Sequence, residues 1–199
     1  MHSDSQYDQL SRISRKPYTP GYDELWLVIG GYQLTFSAFF LVYAHFRNLN
    51  LDVFLESQAL LSQNAGFVNT LILLTSSWFA AMALHLHRKD MKTRAQRMVE
   101  LAIFCGIVFS IIKGFEYYEK INAGYTVYSN EFFTFYYLLT GLHLLHVWLG
   151  LFGLAAVWVY FRKQKFSKED TMIVESCVGF WHMVDFLWII IFALFYLIK

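Results

Sequence analysis

The chain has 199 residues, of which 57% are hydrophobic, 20% aromatic and only 16% charged. A water-soluble domain carries about 25% charged residues, so this composition excludes that class. A net charge of +1 leaves no electrostatic footprint for nucleic acid.

In chain order, the first 23 residues are polar and read as a cytoplasmic tail without a cleaved signal peptide. A membrane span needs roughly 20 mainly apolar residues at 1.5 Å rise each. Five stretches meet that length, at residues 25–46, 65–86, 98–118, 132–161 and 173–198. None alternates apolar and polar residues, and all are too long for barrel strands. The expected fold is therefore all-α: a polytopic membrane protein with five transmembrane helices in one domain, residues 24–199. The two loops between spans one and two and between three and four read as short and without a fold of their own. Tyr22, Trp26, Tyr43, Tyr117, Tyr118, Tyr128, Tyr160 and Tyr196 lie near span ends and read as interfacial anchors. Cys105 and Cys177 lie in or beside apolar stretches, with no CxxC pair, and read as reduced packing residues.

Basic residues set the expected orientation. Arg12, Arg15 and Lys16 in the tail fall on one side. So do Arg88, Lys89, Lys92, Arg94 and Arg97 after span two, and Arg162, Lys163, Lys165 and Lys168 after span four. The other side has only Arg47, Lys120 and Lys199. The positive-inside rule then puts the N-terminus in the cytoplasm and the C-terminus in the periplasm.

Polar groups inside the spans carry the functional question, because ionisable side chains in hydrocarbon are costly and usually paired or functional. Span two has Asn69, Thr70, Thr75, Ser76 and Ser77, which read as a small-residue packing face. Lys113 and Glu116 in span three are three residues apart and form a candidate ion pair, with Lys113 shallow enough to snorkel outward. Spans four and five contribute His143, His146, His182 and Asp185, each pair sharing a helical face. Four such groups on consecutive antiparallel helices allow a metal site or a haem with histidine axial ligands. Residue chemistry favours the competing account, a hydrogen-bonded network that sets helix register, with Asp185 accepting from an imidazole. A proton relay through Lys113, Glu116 and Asp185 would call for helix-breaking mid-membrane segments, yet Pro17 and Pro20 both precede the first span.

Several motifs in order resemble one family. They are Trp26-Leu27-Val28-Ile29, Asn69-Thr70, Leu74-Thr75-Ser76-Ser77 and Lys113-Gly114-Phe115-Glu116-Tyr117. Leu139-Thr140-Gly141-Leu142-His143-Leu144-Leu145-His146-Val147-Trp148-Leu149-Gly150 and Phe180-Trp181-His182-Met183-Val184-Asp185-Phe186-Leu187-Trp188 complete the set. The chain resembles subunit III of the haem–copper respiratory oxidases (cytochrome c or quinol oxidase) in its five-span short form. Glu56-Ser57-Gln58, the segment 69–78 and Asn130-Glu131-Phe132-Phe133 place the resemblance nearest the NorE-type branch associated with nitric oxide reductase. The resemblance implies a bacterial inner-membrane accessory subunit without cofactors of its own. Haem and copper would then belong to partner subunits I and II. It also implies bound phospholipid, support for assembly and proton uptake, and a structural polar network of Glu116, His143, His146, His182 and Asp185. One position departs: where the family carries a membrane-embedded acid, this chain has Tyr32 followed by Gln33. A phenol with a reference pKa near 10 does not replace a carboxylate as a proton carrier.

Overall fold

The computed structural model describes residues 20–162 and 168–198. The tail residues Arg12, Arg15 and Lys16, together with Lys163, Lys165 and Lys199, lie outside the described residues. Among the described residues there are helices and no strands: α1 (Asp23–Leu49), α2 (Leu51–Ala59), α3 (Gln63–Arg88), α4 (Lys92–Asn122), α5 (Glu131–Phe161) and α6 (Lys168–Phe192). A π-helical turn, Ala193–Leu197, continues α6. Five of these helices are long and apolar enough to cross a membrane.

Polar side chains cap the starts of two of the spans. Ser62 Oγ accepts from Ala65 N at the start of α3, and Asn130 Oδ1 accepts from Phe133 N at the start of α5. At 31 residues, α4 and α5 are each about 46 Å long, well beyond the hydrocarbon thickness. The first outer loop is not structureless: α2 lies there, with Phe54, Ser57 and Gln58 buried. Asn130 Nδ2 donates to Ser57 Oγ at 2.8 Å, so the cap of α5 also holds α2.

Helix α6 is the centre of the bundle, with 56% of its most apolar window buried against 6% for α1. Trp181 is fully buried, and its ring occupies a notch between α4 and α5 formed by Gly106 and Gly150. A methyl group at Gly150 would stand 2.5 Å from Trp181 Cε3, so only glycine leaves room for the indole. Helices α4 and α5 run antiparallel, tied by Glu116–Tyr136, Tyr117–Thr140 and Trp158–Glu100 hydrogen bonds. Helix α3 joins α4 through Ser76 Oγ and the Ala102 carbonyl, and joins α6 through Thr70–Trp188 and Ser77–His182.

Helix α1 is peripheral and attaches through aromatic rings spaced at helical intervals. Tyr32 meets His146 and Phe180, Phe36 meets His146, and Tyr43 meets Phe54, Phe135 and Phe195. Two expected anchors are therefore core residues. Tyr43 and Tyr196 are 1% and 0% exposed, whereas Tyr118 and Tyr128 face outward as expected. Tyr117 is half-buried against Thr140. Tertiary packing overrides position along the chain here, because a tyrosine one turn inside a span end reaches either outward or into a neighbouring helix.

Candidate functional site

The polar interior falls into distinct clusters. At the end where α4 stops and α5 starts, Lys113 is 1% exposed, so the expected outward snorkelling is corrected. The reason is its partners. Lys113 Nζ donates to Glu116 Oε2 at 3.1 Å, to Tyr136 OH at 3.0 Å and to Tyr196 OH at 2.8 Å. Both phenols donate in turn to Glu116 Oε1, from Tyr136 at 2.8 Å and from Tyr196 at 2.5 Å. Three ammonium hydrogens and two phenolic hydrogens thus meet five acceptor positions, and the circuit closes with the lysine charged and the glutamate ionised. The ring faces of Tyr117, Tyr136, Trp188 and Tyr196 lie 4.7–5.5 Å from the ammonium, adding cation–π attraction.

The π-helical turn brings Tyr196 into this cage. Carbonyls of the turn and its C-cap are taken by two other helices: from α1, Tyr43 OH donates to Leu194 O and Arg47 Nη2 to Ile198 O, and from α3, Gln63 Nε2 donates to Tyr196 O at 2.8 Å. Sequence reasoning paired Lys113 with Glu116 but missed Tyr136 and misplaced Tyr196. Tyr136 was legible: it shares a helical stripe with Thr140, His143, Val147 and Gly150, and all five are buried.

The remaining polar residues do not share one set of direct hydrogen bonds. His143 is fully buried, its ring 5.2 Å from Trp188 and edge-on to Phe109 at 5.8 Å, with neither nitrogen hydrogen-bonded. His146 turns Nδ1 toward its own backbone, 2.7 Å from Leu142 O, while its ring packs against Tyr32 at 4.6 Å. The position where a family acid was expected therefore faces His146. His182 pairs through Nδ1 with Ser77 Oγ at 2.6 Å. Asp185 is 4% exposed and lies beside Ser77, and no imidazole among the described residues donates to its carboxyl oxygens. The expected imidazole-to-Asp185 bond is absent: His182 turns Nδ1 to Ser77, His146 turns Nδ1 to Leu142 O, and His143 packs among aromatic rings. Among the described residues no three His, Cys, Asp or Glu side chains are grouped to hold a metal ion. His143, enclosed by aromatic rings, and His182, bound to Ser77, do not face each other as a haem-ligating pair.

A further cluster sits at the opposite end of the bundle and was not anticipated. The buried carboxylate of Glu175 on α6 accepts from Gly21 N at 2.9 Å through Oε2 and from Arg88 Nη2 at 2.9 Å through Oε1. Tyr22 N donates to Ser176 Oγ beside it. This clasp joins the start of α1 to the end of α3 across α6.

Residues 58–199, the stretch holding α3 to α6 and every cluster above except the α1 contacts, match the family described as cytochrome c oxidase subunit III. The chain belongs to that family. It is 32% identical over 132 residues to cytochrome c oxidase subunit 3 of Thermostichus vulcanus, covering 66% of this chain and 64% of that protein. It is 29% identical over 130 residues to the probable cytochrome c oxidase subunit 3 of Mycobacterium leprae (strain TN), covering 65% and 64%. The chain thus spans less than two thirds of the length of these subunit 3 proteins. A longer correspondence, 176 residues at 24% identity, joins it to cytochrome bo(3) ubiquinol oxidase subunit 3 of Buchnera aphidicola subsp. Acyrthosiphon pisum (strain APS), covering 87% and 84%. That correspondence is long enough to include α1 as well as the family-matched helices.

Proposed function

We propose that this protein is a non-catalytic accessory subunit of a respiratory haem–copper oxidase, spanning a bacterial plasma membrane with its N-terminus in the cytoplasm. It supports assembly, stability and proton uptake of the catalytic subunit during aerobic electron transport. Haem and copper belong to partner subunits I and II, and phospholipid fills the apolar faces between helices. The observation that carries this reading is the family match over residues 58–199 together with five spans of membrane-crossing length. The interior chemistry agrees with a structural role: every donor hydrogen of the Lys113–Glu116 cage is committed to a partner within it.

In this reading Glu116, His143, His146, His182 and Asp185 fix helix register. Asp185→Ala then lowers the abundance of the assembled complex while complexes already formed keep their turnover. Normal abundance with lost turnover would contradict it. A second reading, a NorE-type accessory protein of nitric oxide reductase, is favoured by Tyr32 at the family's acidic position, packed on His146. One preparation separates the two. The tagged chain is purified in mild detergent from its native membrane, its visible haem spectrum recorded and its co-purifying proteins identified. Haem arriving only with a large partner supports the accessory role, and that partner's identity distinguishes oxidase from reductase. Haem or metal retained by this chain alone overturns both.

A further inference from the structure

The outward stripe of α6 is unusual in carrying a histidine at mid-membrane depth. Successive helical residues turn by about 100°, so Glu175, His182, Phe186 and Ile189 fall on one line along the helix. Helices α1 and α3 reach α6 from either flank of that line. From α1, Tyr22 binds Ser176, Tyr32 packs on Phe180, and Leu25 lies 3.4 Å from a Cβ built at Gly179. From α3, Ser77 binds His182 and Thr70 binds Trp188. Both ends of the stripe are tied down, by Glu175 at one end and by Tyr43, Arg47 and Gln63 on the π-helical turn at the other. Between the ties the stripe is open: Phe186 is 52% and Ile189 39% exposed, with Trp78 of α3 beside Ser77 at 57%.

Depth makes this opening informative. His182 is the thirteenth of the 28 residues in the span Asp170–Leu197, and Ser77 the fifteenth of 26 in Gln63–Arg88. Both stand near the membrane midplane, where a half-buried imidazole facing hydrocarbon is costly. Whichever tautomer His182 adopts, Nδ1 is taken by Ser77 and Nε2 is left without a partner among the described residues. An acyl chain has neither donor nor acceptor and does not satisfy Nε2.

We propose that this stripe, centred on His182 and flanked by α1 and α3, is the docking site for a transmembrane helix of a different subunit. That helix brings a hydrogen-bonding side chain to His182 Nε2, with Phe186, Ile189 and Trp78 as the apolar rim. The inference rests on the accessory-subunit reading, and a different chain is favoured over a second copy because the relatives are themselves numbered subunits of oxidases. Interhelical hydrogen bonds in membranes are worth enough to shift association by about 3- to 15-fold.

The test uses the complex in its native membrane. A photoreactive residue is placed at Phe186, and in a separate chain at Phe104 on the outer face of α4, which is 63% exposed. Adducts are identified by mass spectrometry. Expected are adducts to another polypeptide from position 186 and only lipid from 104. His182→Leu is expected to lower recovery of that polypeptide about 3- to 15-fold, with His182→Gln restoring part of it. Ser77→Ala, which cuts the same α3–α6 bond but keeps the His182 imidazole, is expected to lower the melt of the inserted chain as His182→Leu does while leaving recovery of that polypeptide unchanged. Adducts from 186 to lipid alone, or to a second copy of this chain, overturn the proposal. A core enzyme that co-purifies but attaches only at 104 overturns the docking face and leaves the accessory role standing. No co-purifying core at all removes both.

Discussion

Breaking the Lys113 cage one charge at a time tests whether it is a closed zwitterion. Glu116→Ala leaves a 1%-exposed ammonium without its carboxylate and two buried phenols without their acceptor. Removing one partner of a buried ion pair costs about 3–5 kcal/mol, because an uncompensated charge remains. Lys113→Met strands the carboxylate, but both phenols still donate to Glu116 Oε1, so the loss falls at the lower end of that range. The double variant Lys113→Met/Glu116→Leu strands no charge and leaves only two phenols to repair, a cost of about 1–3 kcal/mol each if neither finds the other. The singles therefore overshoot the double, with a coupling of about 1–3 kcal/mol expected for residues in one network. At about 2–4 °C per kcal/mol for a chain of this size, Glu116→Ala lowers the melting temperature by about 6–20 °C. Thermal melts of the purified chain in mild detergent give the full cycle. Single variants that each melt within about 2 °C of wild type, or effects that simply add, would refute the closed circuit.

Three further perturbations have defined outcomes. Gly150→Ala drives a methyl group into Trp181 and is expected to destabilise by about 1–3 kcal/mol, while Gly114→Ala, where a Cβ meets nothing within 4 Å, is neutral or slightly stabilising; parallel melts compare them. Glu175→Ala removes the acceptor of Gly21 N–H and one partner of the half-exposed Arg88, costing about 1–2 kcal/mol and opening the chain to limited proteolysis near residue 21, read by mass spectrometry. Tyr32→Phe keeps the ring against His146 and removes a hydroxyl that bonds no other described residue, so stability stays within about 0.5 kcal/mol; a larger loss would show that the phenol matters beyond its packing.

Hydrophobic run lengths alone decide how many helices cross the membrane, because in hydrocarbon each segment must satisfy its own backbone, whatever its neighbours do. That is why all five spans were legible, and why the Lys113–Glu116 pair, a contact within one helix at i and i+3, was legible too. Side-chain direction at a span end is not a local property. Tyr43 and Tyr196 read as interfacial anchors, yet they point inward because α2, α5 and the π-helical turn present rings and hydrogen-bonding partners there. Lys113 read as a snorkelling side chain, yet it turns inward because Tyr136 and Tyr196 arrive from elements 23 and 83 residues further along. The same holds for the histidines: spacing puts His143 and His146 on one face, but only packing gives one to aromatic rings and the other to its own backbone. Run length and i,i+3 spacing are encoded within a single helix, so the sequence by itself determined the five spans and the ion pair. Which side chain meets which across helices depends on how five cylinders rotate against one another, and only the tertiary structure decided that.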